Sequence, residues 1–348
     1  MTSFEQLLYE WYRLRARNLP WRDTTDPYRI WISEIILQQT QVTQGLRYYR
    51  RFLDCFPDVF ALAAATQEEV MMAWQGLGYY SRARNAHLAA KIIVNELDGV
   101  FPSDYRSIKS LPGIGEYTAA AIASFAFGLP HAVVDGNVFR FFARFFCIDT
   151  PIDIGAGKKI FFEKANEVLD RHQPHRFNQA VMEFGSLVCT AVNPLCDLCP
   201  LQHLCKSYAI GCVHQLPVKS KRIERRQRFL NYFIFDLPGG QTVIEQRTGR
   251  DIWQGLYQFP LFETSKAVGE DVVFNYLRAR HPQMEMSGKA VGRRRHLLTH
   301  QELLVTFWRV TSSVLSMSEG QMAVAMGDLS QYPFPQLIVS FLKDNAVE

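Results

Sequence analysis

The stretch that decides the fold is LPGIGEYTAAAIASFAFGLPHAVVDGNVFR, residues 111–140. A short helix, predicted to begin after a Ser103 cap, stops before Gly113 and Gly115, and a second helix follows over Glu116–Phe127. Backbone N–H groups at the start of that second helix are free to bind a phosphate without reading a base. The stretch therefore predicts two helices, joined by a glycine turn, that hold a nucleic-acid backbone irrespective of its sequence.

Asp135 lies near the end of the same stretch, just before a third predicted helix over Val138–Phe146. Two interpretations of this residue remain open. Asp135 is either an N-cap, which is the commoner use of aspartate at a helix start, or a carboxylate placed for chemistry.

Glu34 is a second acidic residue in an unusual setting, within a helix that Asp26 caps and Pro27 begins. Positions three and four residues before it are Ile30 and Trp31, so its side chain faces an apolar stripe. Burial raises the pKa of a carboxyl group, and a carboxyl protonated near neutral pH is a general acid. The alternative is a buried glutamate bonded to a neighbouring backbone.

Four of the seven cysteines have the spacing C-x6-C-x2-C-x5-C, namely Cys189, Cys196, Cys199 and Cys205. Four thiolates on one loop hold either zinc or an iron–sulfur cluster. Zinc ribbons usually contain two separated C-x2-C pairs, so a single pair favours the iron–sulfur cluster. The other three cysteines lack partners at ligand spacing and are predicted to be ordinary packing thiols: Cys55, Cys147 and Cys212.

Composition indicates a globular protein of two domains, since the chain has 348 residues, 48% of them hydrophobic. The N-terminal residues contain no uninterrupted apolar run, so we expect neither a signal peptide nor a membrane span, and a cytoplasmic or nucleoid location. The net charge is only +4, but basic residues cluster at 13–22, 219–228 and 293–295. Such clusters favour a polyanionic partner.

The helical pattern extends over residues 1–212, and the predicted helices include Phe4–Arg17, Ile160–Asp170 and Phe177–Leu187. Residues 213–228 are predicted to form a basic linker. Residues 229–348 predict a small α+β domain. Its predicted elements are a hairpin of Phe229–Leu237 and Thr242–Arg247, strands in Gly255–Phe262 and Glu302–Thr311, and helices over Val268–Arg280 and Pro335–Lys343.

Polar and aromatic residues at two further positions suit contact with bases. Gln38 and Gln39 end the Glu34 helix in amides, which match base edges or the gap left by an extruded nucleotide. Tyr79 follows the glycine loop Gly76–Gly78 and is suited to wedge into a base stack. A packed loop aromatic is the alternative for Tyr79.

In combination these motifs resemble the adenine DNA glycosylases of the MutY type, within the helix-hairpin-helix glycosylases. The segments that carry the resemblance are LPWR (19–22), SEIILQQTQV (33–42), GLGYYSRARN (76–85), LPGIGEYTAAAI (111–122), VVDGNV (133–138), RFNQAVMEFG (176–185) and the cysteine spacing. The resemblance implies an all-α helix-hairpin-helix core (hairpin at about residues 103–128) with a 4Fe-4S cluster loop at 189–205. It also implies a C-terminal α+β Nudix-like domain.

The resemblance further implies a substrate and a set of roles. The partner is double-stranded DNA with adenine opposite 8-oxoguanine or guanine, bound by a monomer. Glu34 protonates the leaving adenine and Asp135 stabilises the oxocarbenium-like sugar, assisted by Tyr117 and Asn137. The implied DNA contacts are Arg22, Gln38, Gln39, Tyr79, Gly113, Gly115 and Gln179.

Tyr117 separates this interpretation from its nearest alternative. The endonuclease III family resembles the chain in the hairpin, the aspartate and the cluster, but carries at this position a lysine that forms a Schiff base and cuts the strand. Tyrosine cannot do so, and the expected enzyme is monofunctional. An endonuclease III-like lyase and a non-catalytic iron–sulfur DNA-binding protein remain the alternatives.

The C-terminal segment departs from the family in two places. The R-E-x-x-E-E metal box of a Nudix hydrolase is missing from residues 261–280, so pyrophosphohydrolase activity is not expected. The Phe-Ser-His loop that contacts 8-oxoguanine in the family here consists of Leu298, Thr299 and His300. Thr299 and His300 are the expected contacts, and loss of the aromatic ring predicts weaker discrimination against guanine.

Overall fold

The structure is a computed structural model that describes residues 3–220, 224–283, 285–312 and 317–345. Spatial proximity divides the described chain into two compact units. The first is built from residues 3–64 and 88–220, and the second from residues 65–87 and the described residues from 224 onward. In the described ranges, no helix combines the length and the apolar character that crossing a bilayer requires.

Twelve α-helices precede residue 220. They are α1 (Phe4–Arg15), α2 (Pro27–Leu37), α3 (Val42–Cys55), α4 (Val59–Ala64), α5 (Gln67–Trp74), α6 (Ser81–Glu96), α7 (Tyr105–Ser110), α8 (Glu116–Phe127), α9 (Gly136–Phe146), α10 (Gly155–Glu167), α11 (Pro174–Leu187) and α12 (Lys206–Ala209). No β-strand occurs in the described residues of the first unit, so the predicted all-α core is confirmed.

Local hydrogen bonds explain where these helices begin. Asp26 caps α2 as predicted, by accepting from the N–H groups of Tyr28 and Arg29. The predicted Ser103 cap is wrong: the Asp104 carboxylate accepts from two N–H groups of the first turn of α7, each at 3.0 Å. Asp104, rather than Ser103, is the N-cap because it directly precedes the first helical residue, Tyr105.

The glycine turn between α7 and α8 forms as predicted. Gly113 has a φ of +77°, a conformation that L side chains rarely adopt, and Gly115 is the N-cap of α8. Small side chains of α8 are buried from Ala119 to Ala123, and this helix packs on α2, α7 and α11. Close packing of α8 fixes the chain that leads from the turn to Asp135.

The main core of the first unit surrounds α9. Phe141, Phe142 and Phe145 are buried there against Phe161 of α10 and Phe184 of α11. Aromatic burial on this scale holds α9 rigidly, and α9 carries several candidate site residues.

The C-terminal elements are β1 (Arg226–Asp236), β2 (Gln241–Gln246), β3 (Tyr257–Gln258), β4 (Leu261–Thr264), α13 (Glu270–Arg280), β5 (Ser287–Leu297), β6 (Gln301–Thr311), β7 (Gln321–Ala325) and α14 (Gln336–Asp344). They form a four-stranded sheet in the order β4-β1-β6-β5 and a three-stranded sheet in the order β3-β2-β7. Strands β1 and β6 are parallel, and the other pairs are antiparallel. The predicted α+β class is confirmed.

Three details of this region differ from the predictions. The predicted β1–β2 hairpin is wrong, because β4 and β6 occupy the two edges of β1 and leave a single bridge, Leu237–Gln241, to the next strand. Strand β1 begins at Arg226, inside the predicted linker, because Arg228 is buried in ion pairs with Asp251 and Glu263. Strands β5 and β7 were not predicted, and β5 is interrupted by a register shift near Ala290.

Residues 65–87 belong to the second compact unit, although their helical pattern predicts a place in the helical domain. The Tyr257 hydroxyl donates to Glu68 at 2.6 Å, and the amide of Gln75 donates to the carbonyl of Phe334 at 3.2 Å. These contacts are long-range in sequence, so periodicity along the chain does not reveal them.

Candidate active site

A cavity of about 350 Å³ lies in the first unit, bordered by α2, α8, α9 and α11. That volume is within the range of small-molecule sites. Eight residues predicted to act in catalysis or DNA contact line it: Arg22, Glu34, Gln38, Gln39, Tyr117, Asp135, Asn137 and Gln179. These residues are far apart in sequence and meet at one place in the fold.

Glu34 lies on α2 and is only 5% exposed. Burial raises the pKa of Glu34 to about 7, and the nearby negative charge of Asp135 adds to this shift. A hydrogen bond from the Tyr117 hydroxyl and the positive charge of Arg22 oppose it. Glu34 is therefore partly protonated near neutral pH and can give a proton to a group in the cavity.

Asp135 caps α9, which confirms the N-cap interpretation, and its side chain also lines the cavity. Its Oδ1 accepts from the N–H groups of Asn137 at 2.9 Å and Val138 at 2.8 Å, and its Oδ2 accepts from the Asn137 amide at 2.7 Å. Burial raises the pKa of Asp135, while these hydrogen bonds act in the opposite direction. The cap fixes the orientation of the carboxylate.

Arg140 is a site residue that the sequence interpretation missed. Its Nη2 donates to Asn137 Oδ1 at 2.8 Å and its Nε donates to the backbone carbonyl of Cys189 at 2.7 Å. Arg140 thus holds the amide that contacts Asp135 and also holds the start of the cysteine loop. The signal was the i,i+3 spacing of Asn137 and Arg140 on one helix face.

Glu183 was also missed, although it lies in the quoted segment RFNQAVMEFG. It is 1% exposed on α11 and lines the cavity. Its carboxylate accepts from Arg17 Nη2 at 2.6 Å and from Arg22 Nη2 at 2.7 Å. Burial raises its pKa, but the two guanidinium groups outweigh burial and lower the pKa to about 2.

The amide residues of the cavity are individually oriented. Gln38 donates through Nε2 to the hydroxyl of Thr118 at 3.2 Å, and Gln179 accepts from the Tyr12 hydroxyl at 3.0 Å. Gln39 has a φ of +58°, which is uncommon for a residue other than glycine. Backbone strain of this kind concentrates at functional positions.

Gly113 and Gly115 do not line the cavity. A side chain built on Gly115 would meet no atom within 4 Å, so the backbone at this turn has open space beside it. That openness is what a phosphate contact requires.

The four spaced cysteines line a second, small cavity of about 30 Å³ in the first unit, with apolar neighbours such as Phe145 and Leu201. In the described part of the chain, no three His, Cys, Asp or Glu side chains are close enough to hold a single metal ion. The four thiols share one space, and four thiolates on one loop are the donor set of a cubane iron–sulfur cluster. Burial raises the pKa of Cys189, Cys196 and Cys199, so bound iron would be needed to keep them as thiolates.

Tyr79, Thr299 and His300 belong to the second compact unit. The Tyr79 ring is 47% exposed, its φ is +47°, and its hydroxyl forms a hydrogen bond with the hydroxyl of Thr299. The guanidinium of Arg82 lies 5.8 Å from the centre of the same ring. His300 is exposed, and its backbone carbonyl accepts from the N–H of Arg226 at 3.0 Å.

Comparison with known families assigns all three parts of the chain. Residues 32–167 match the HhH-GPD superfamily of base excision DNA repair proteins, residues 189–205 the iron–sulfur binding domain of endonuclease III, and residues 231–344 the NUDIX domain. The predicted cluster loop and C-terminal domain are confirmed, and the chain binds a 4Fe-4S cluster.

Among solved structures, a thermostable thymine-DNA glycosylase is similar to this chain, with 28% sequence identity and a TM-score of 0.55. The superposition covers 60% of this chain and 95% of the glycosylase chain. A trapped endonuclease III–DNA covalent intermediate is 22% identical with a TM-score of 0.51, covering 61% of this chain and 99% of its own, which is evidence for the fold alone.

Curated relatives identify the family. Adenine DNA glycosylase of Buchnera aphidicola subsp. Baizongia pistaciae is 32% identical over 89% of this chain and 87% of its own length. The adenine DNA glycosylase of Mus musculus is 41% identical over 60% of this chain and 42% of its own. These relatives show that the chain is an N-glycosyl hydrolase of base excision repair and a member of the adenine DNA glycosylase family.

Proposed function

We propose that this protein removes adenine mispaired with 8-oxoguanine, or with guanine, from double-stranded DNA by hydrolysing the N-glycosidic bond. The observation that carries the proposal is the meeting of Glu34 and Asp135 in one cavity of about 350 Å³. The adenine is extruded from the duplex into this cavity, since the glycosidic bond of a stacked base is out of reach.

Glu34 acts as the general acid. Its pKa of about 7 leaves a protonated fraction at physiological pH, which protonates a ring nitrogen of adenine so that the base leaves as a neutral molecule. The Tyr117 hydroxyl donates to the Glu34 carboxylate and orients it.

Asp135 stabilises the positive charge that develops on the deoxyribose as the bond breaks. The N–H groups of Asn137 and Val138 hold this carboxylate in place before the reaction starts. A preorganised anion of this kind requires no rearrangement when the charge appears. Water then completes the hydrolysis.

The cavity wall at Gln179 supports selection of adenine over other bases. The Glu183 carboxylate accepts hydrogen bonds from Arg17 N, Nε and Nη2 and from Arg22 Nη2, so it fixes two guanidinium groups at this wall. The Gln179 side chain has both a donor and an acceptor and suits the ring edge.

The second unit carries the proposed contacts to the base opposite the adenine. Tyr79 enters the base stack, and Thr299 and His300 contact 8-oxoguanine through hydrogen bonds. Two observations support this assignment. Tyr79 is exposed, and its hydroxyl is hydrogen-bonded to that of Thr299, so the residue proposed to enter the stack lies next to one proposed to contact 8-oxoguanine. Gly113 and Gly115 hold the DNA backbone.

The 4Fe-4S cluster is held by Cys189, Cys196, Cys199 and Cys205 and organises the loop that Arg140 fastens to α9. When bound it supplies structural cross-linking, since glycosidic hydrolysis transfers no net electrons. We propose that the protein acts as a monomer, which sedimentation velocity would test.

Single-turnover cleavage of duplexes with adenine opposite 8-oxoguanine, guanine or thymine, developed with alkali, tests the proposal. We expect excision opposite 8-oxoguanine and guanine and none opposite thymine. Glu34→Gln should lower the rate about 10²- to 10⁴-fold, the usual contribution of a general acid. Wild-type rates in Glu34→Gln would refute the proposed role.

Borohydride trapping distinguishes this proposal from a lyase. Tyr117 has no amine, so we expect no covalent protein–DNA adduct on an adenine-mispair or abasic duplex. Tyr117→Lys is the matched control, because it restores the amine at the same position. Strong trapping of the wild-type protein would favour the endonuclease III-like alternative.

A further inference from the structure

Two thiols outside the cluster set lie in contact. The Sγ atoms of Cys147 and Cys212 are 3.7 Å apart although the residues are 65 positions apart in sequence. The sequence predicts packing thiols without partners at ligand spacing, and the structure adds a contact between two of them that are distant in sequence. Cys55, the third remaining cysteine, is exposed at the end of α3.

The backbone on both sides of the pair is held in place. Cys147 is the C-cap of α9, in a left-handed conformation with a φ of 56°. The N–H of Cys212 donates to the carbonyl of Ser207 at 2.9 Å. Directly after Cys212, the carbonyls of Val213 and Leu216 both accept from Arg144 Nε at 3.0 Å.

Arg144 is 3% exposed and lies on α9, three residues before Cys147. A buried guanidinium with satisfied hydrogen bonds is costly to displace. Arg144 therefore keeps the segment after the cysteine loop against the end of α9, and the two thiols stay neighbours in the folded protein.

We propose that Cys147 and Cys212 form a reversible intramolecular disulfide on exposure to peroxide, as a modification site separate from the cluster. A disulfide has an S–S bond of about 2.05 Å, so the sulfur atoms must approach by roughly 1.7 Å. Rotation about the Cα–Cβ bond of each cysteine moves its sulfur atom relative to the backbone and changes this distance. Both thiols are partly exposed, which gives a small oxidant access.

The chemistry balances with hydrogen peroxide as the two-electron oxidant. One thiol loses its proton, the thiolate attacks a peroxide oxygen and the O–O bond breaks; a sulfenic acid forms, and the released hydroxide takes up the lost proton to give one water. The second thiol then attacks the sulfenic sulfur, the S–O bond breaks, the S–S bond forms and a second water leaves. Two thiols and one peroxide thus give one disulfide and two waters, and a reducing thiol reverses the change.

The covalent bond would join the end of α9 to the chain that follows the cluster loop. Helix α9 begins at the Asp135 cap and carries Asn137 and Arg140, so the disulfide fastens the active-site helix to the cluster region. A cross-link between residues distant in sequence reduces the freedom of the unfolded chain. Oxidised protein should therefore unfold at higher urea concentration than reduced protein.

Peptide mass spectrometry of the iron–sulfur holoprotein tests the proposal. Protein purified without oxygen is treated with a limited amount of hydrogen peroxide, blocked with N-ethylmaleimide and digested without reductant. We expect one peptide pair joined through Cys147 and Cys212, two fewer blocked thiols, and loss of the joined pair after dithiothreitol. The visible absorbance of the cluster, followed in parallel, should be retained.

Single substitutions provide the controls. Cys147→Ser and Cys212→Ser should each abolish the joined peptide and the increase in the urea midpoint, while Cys55→Ser should keep both. Recovery of Cys147 and Cys212 as blocked thiols in the oxidised wild type would overturn the proposal. Joined peptides that contain Cys55 or a cluster cysteine in their place would also overturn it, and this mapping needs no variant to fold.

Discussion

Each of two walls of the same cavity contains one buried glutamate, and these two glutamates differ in charge. Glu34 on α2 is 5% exposed and Glu183 on α11 is 1% exposed. The pKa of Glu34 is about 7, whereas that of Glu183 is about 2. Burial raises the pKa of both, so the difference arises from their partners.

Glu183 accepts hydrogen bonds from two guanidinium groups, and these more than offset the loss of water. Glu34 accepts from the neutral hydroxyl of Tyr117 and lies near the negative charge of Asp135. One wall therefore holds a glutamate that is ionised and paired with arginine, and the other holds a glutamate that is partly protonated near pH 7.

Beyond the loss expected for Glu34→Gln, the largest effect comes from removing the anion proposed to lie beside the sugar. Asp135→Asn keeps an oxygen that can accept from the N–H groups of Asn137 and Val138, but it loses the negative charge. We expect the single-turnover rate of adenine excision to fall about 10²- to 10³-fold, as for loss of one preorganised electrostatic contact. Filter binding to the same duplex should change far less, and a rate equal to that of wild type would remove Asp135 from the mechanism.

The second prediction concerns the free energy of unfolding and tests the ion pairs of Glu183. Glu183→Gln leaves Arg17 and Arg22 without their counter-charge, and urea denaturation should show a loss of about 2–4 kcal/mol, reduced because Arg17 is partly exposed. The folded-state pKa of Glu183 is depressed, so its contribution is present above pH 4.5 and is lost as the pH falls toward about 2. A loss that stayed constant down to the lowest pH would contradict the ion-pair explanation.

At Glu34, the free energy of unfolding should depend on pH in the opposite direction. The folded-state pKa of Glu34 is raised from 4.5 to about 7, so its ionisation costs stability as the pH rises through this range. Glu34→Gln removes that cost and should stabilise the fold above about pH 8 by up to ~3 kcal/mol, with no gain below about pH 4. Urea midpoints at the two pH values give the comparison, and destabilisation at the higher pH would show that Glu34 is held as a structural anion.

The smallest expected effect is a shift in the pH dependence of the single-turnover excision rate. The single-turnover rate should fall as the pH rises above about 7, because the general acid loses its proton. The Tyr117 hydrogen bond lowers the pKa of Glu34, so Tyr117→Phe should move this alkaline limb to higher pH. Glu34→Gln, which has no titrating acid at this position, should lose the limb. An unshifted limb in Tyr117→Phe would mean that another group titrates there.

Local signals were sufficient for much of the helical unit. The helix over Glu116–Phe127 was predicted with the observed bounds, because a glycine turn precedes it and small residues fill it. Asp26 and Pro27 correctly marked the start of α2. Prediction failed where contacts between distant segments decide the pairing of strands. A hairpin was expected between β1 and β2, but β4 and β6 pair with the two edges of β1.

Residue identity and order alone determined the family, the cysteine loop, and the two carboxyl groups that are proposed to act in catalysis. Capping, periodicity and ligand spacing act within a few residues, so a sequence displays them directly. Only the tertiary structure decided the charge of Glu183, the coupling of Arg140 to Cys189, and the approach of Cys147 to Cys212. Each depends on groups brought together from distant parts of the chain, where burial and pairing set protonation and contact.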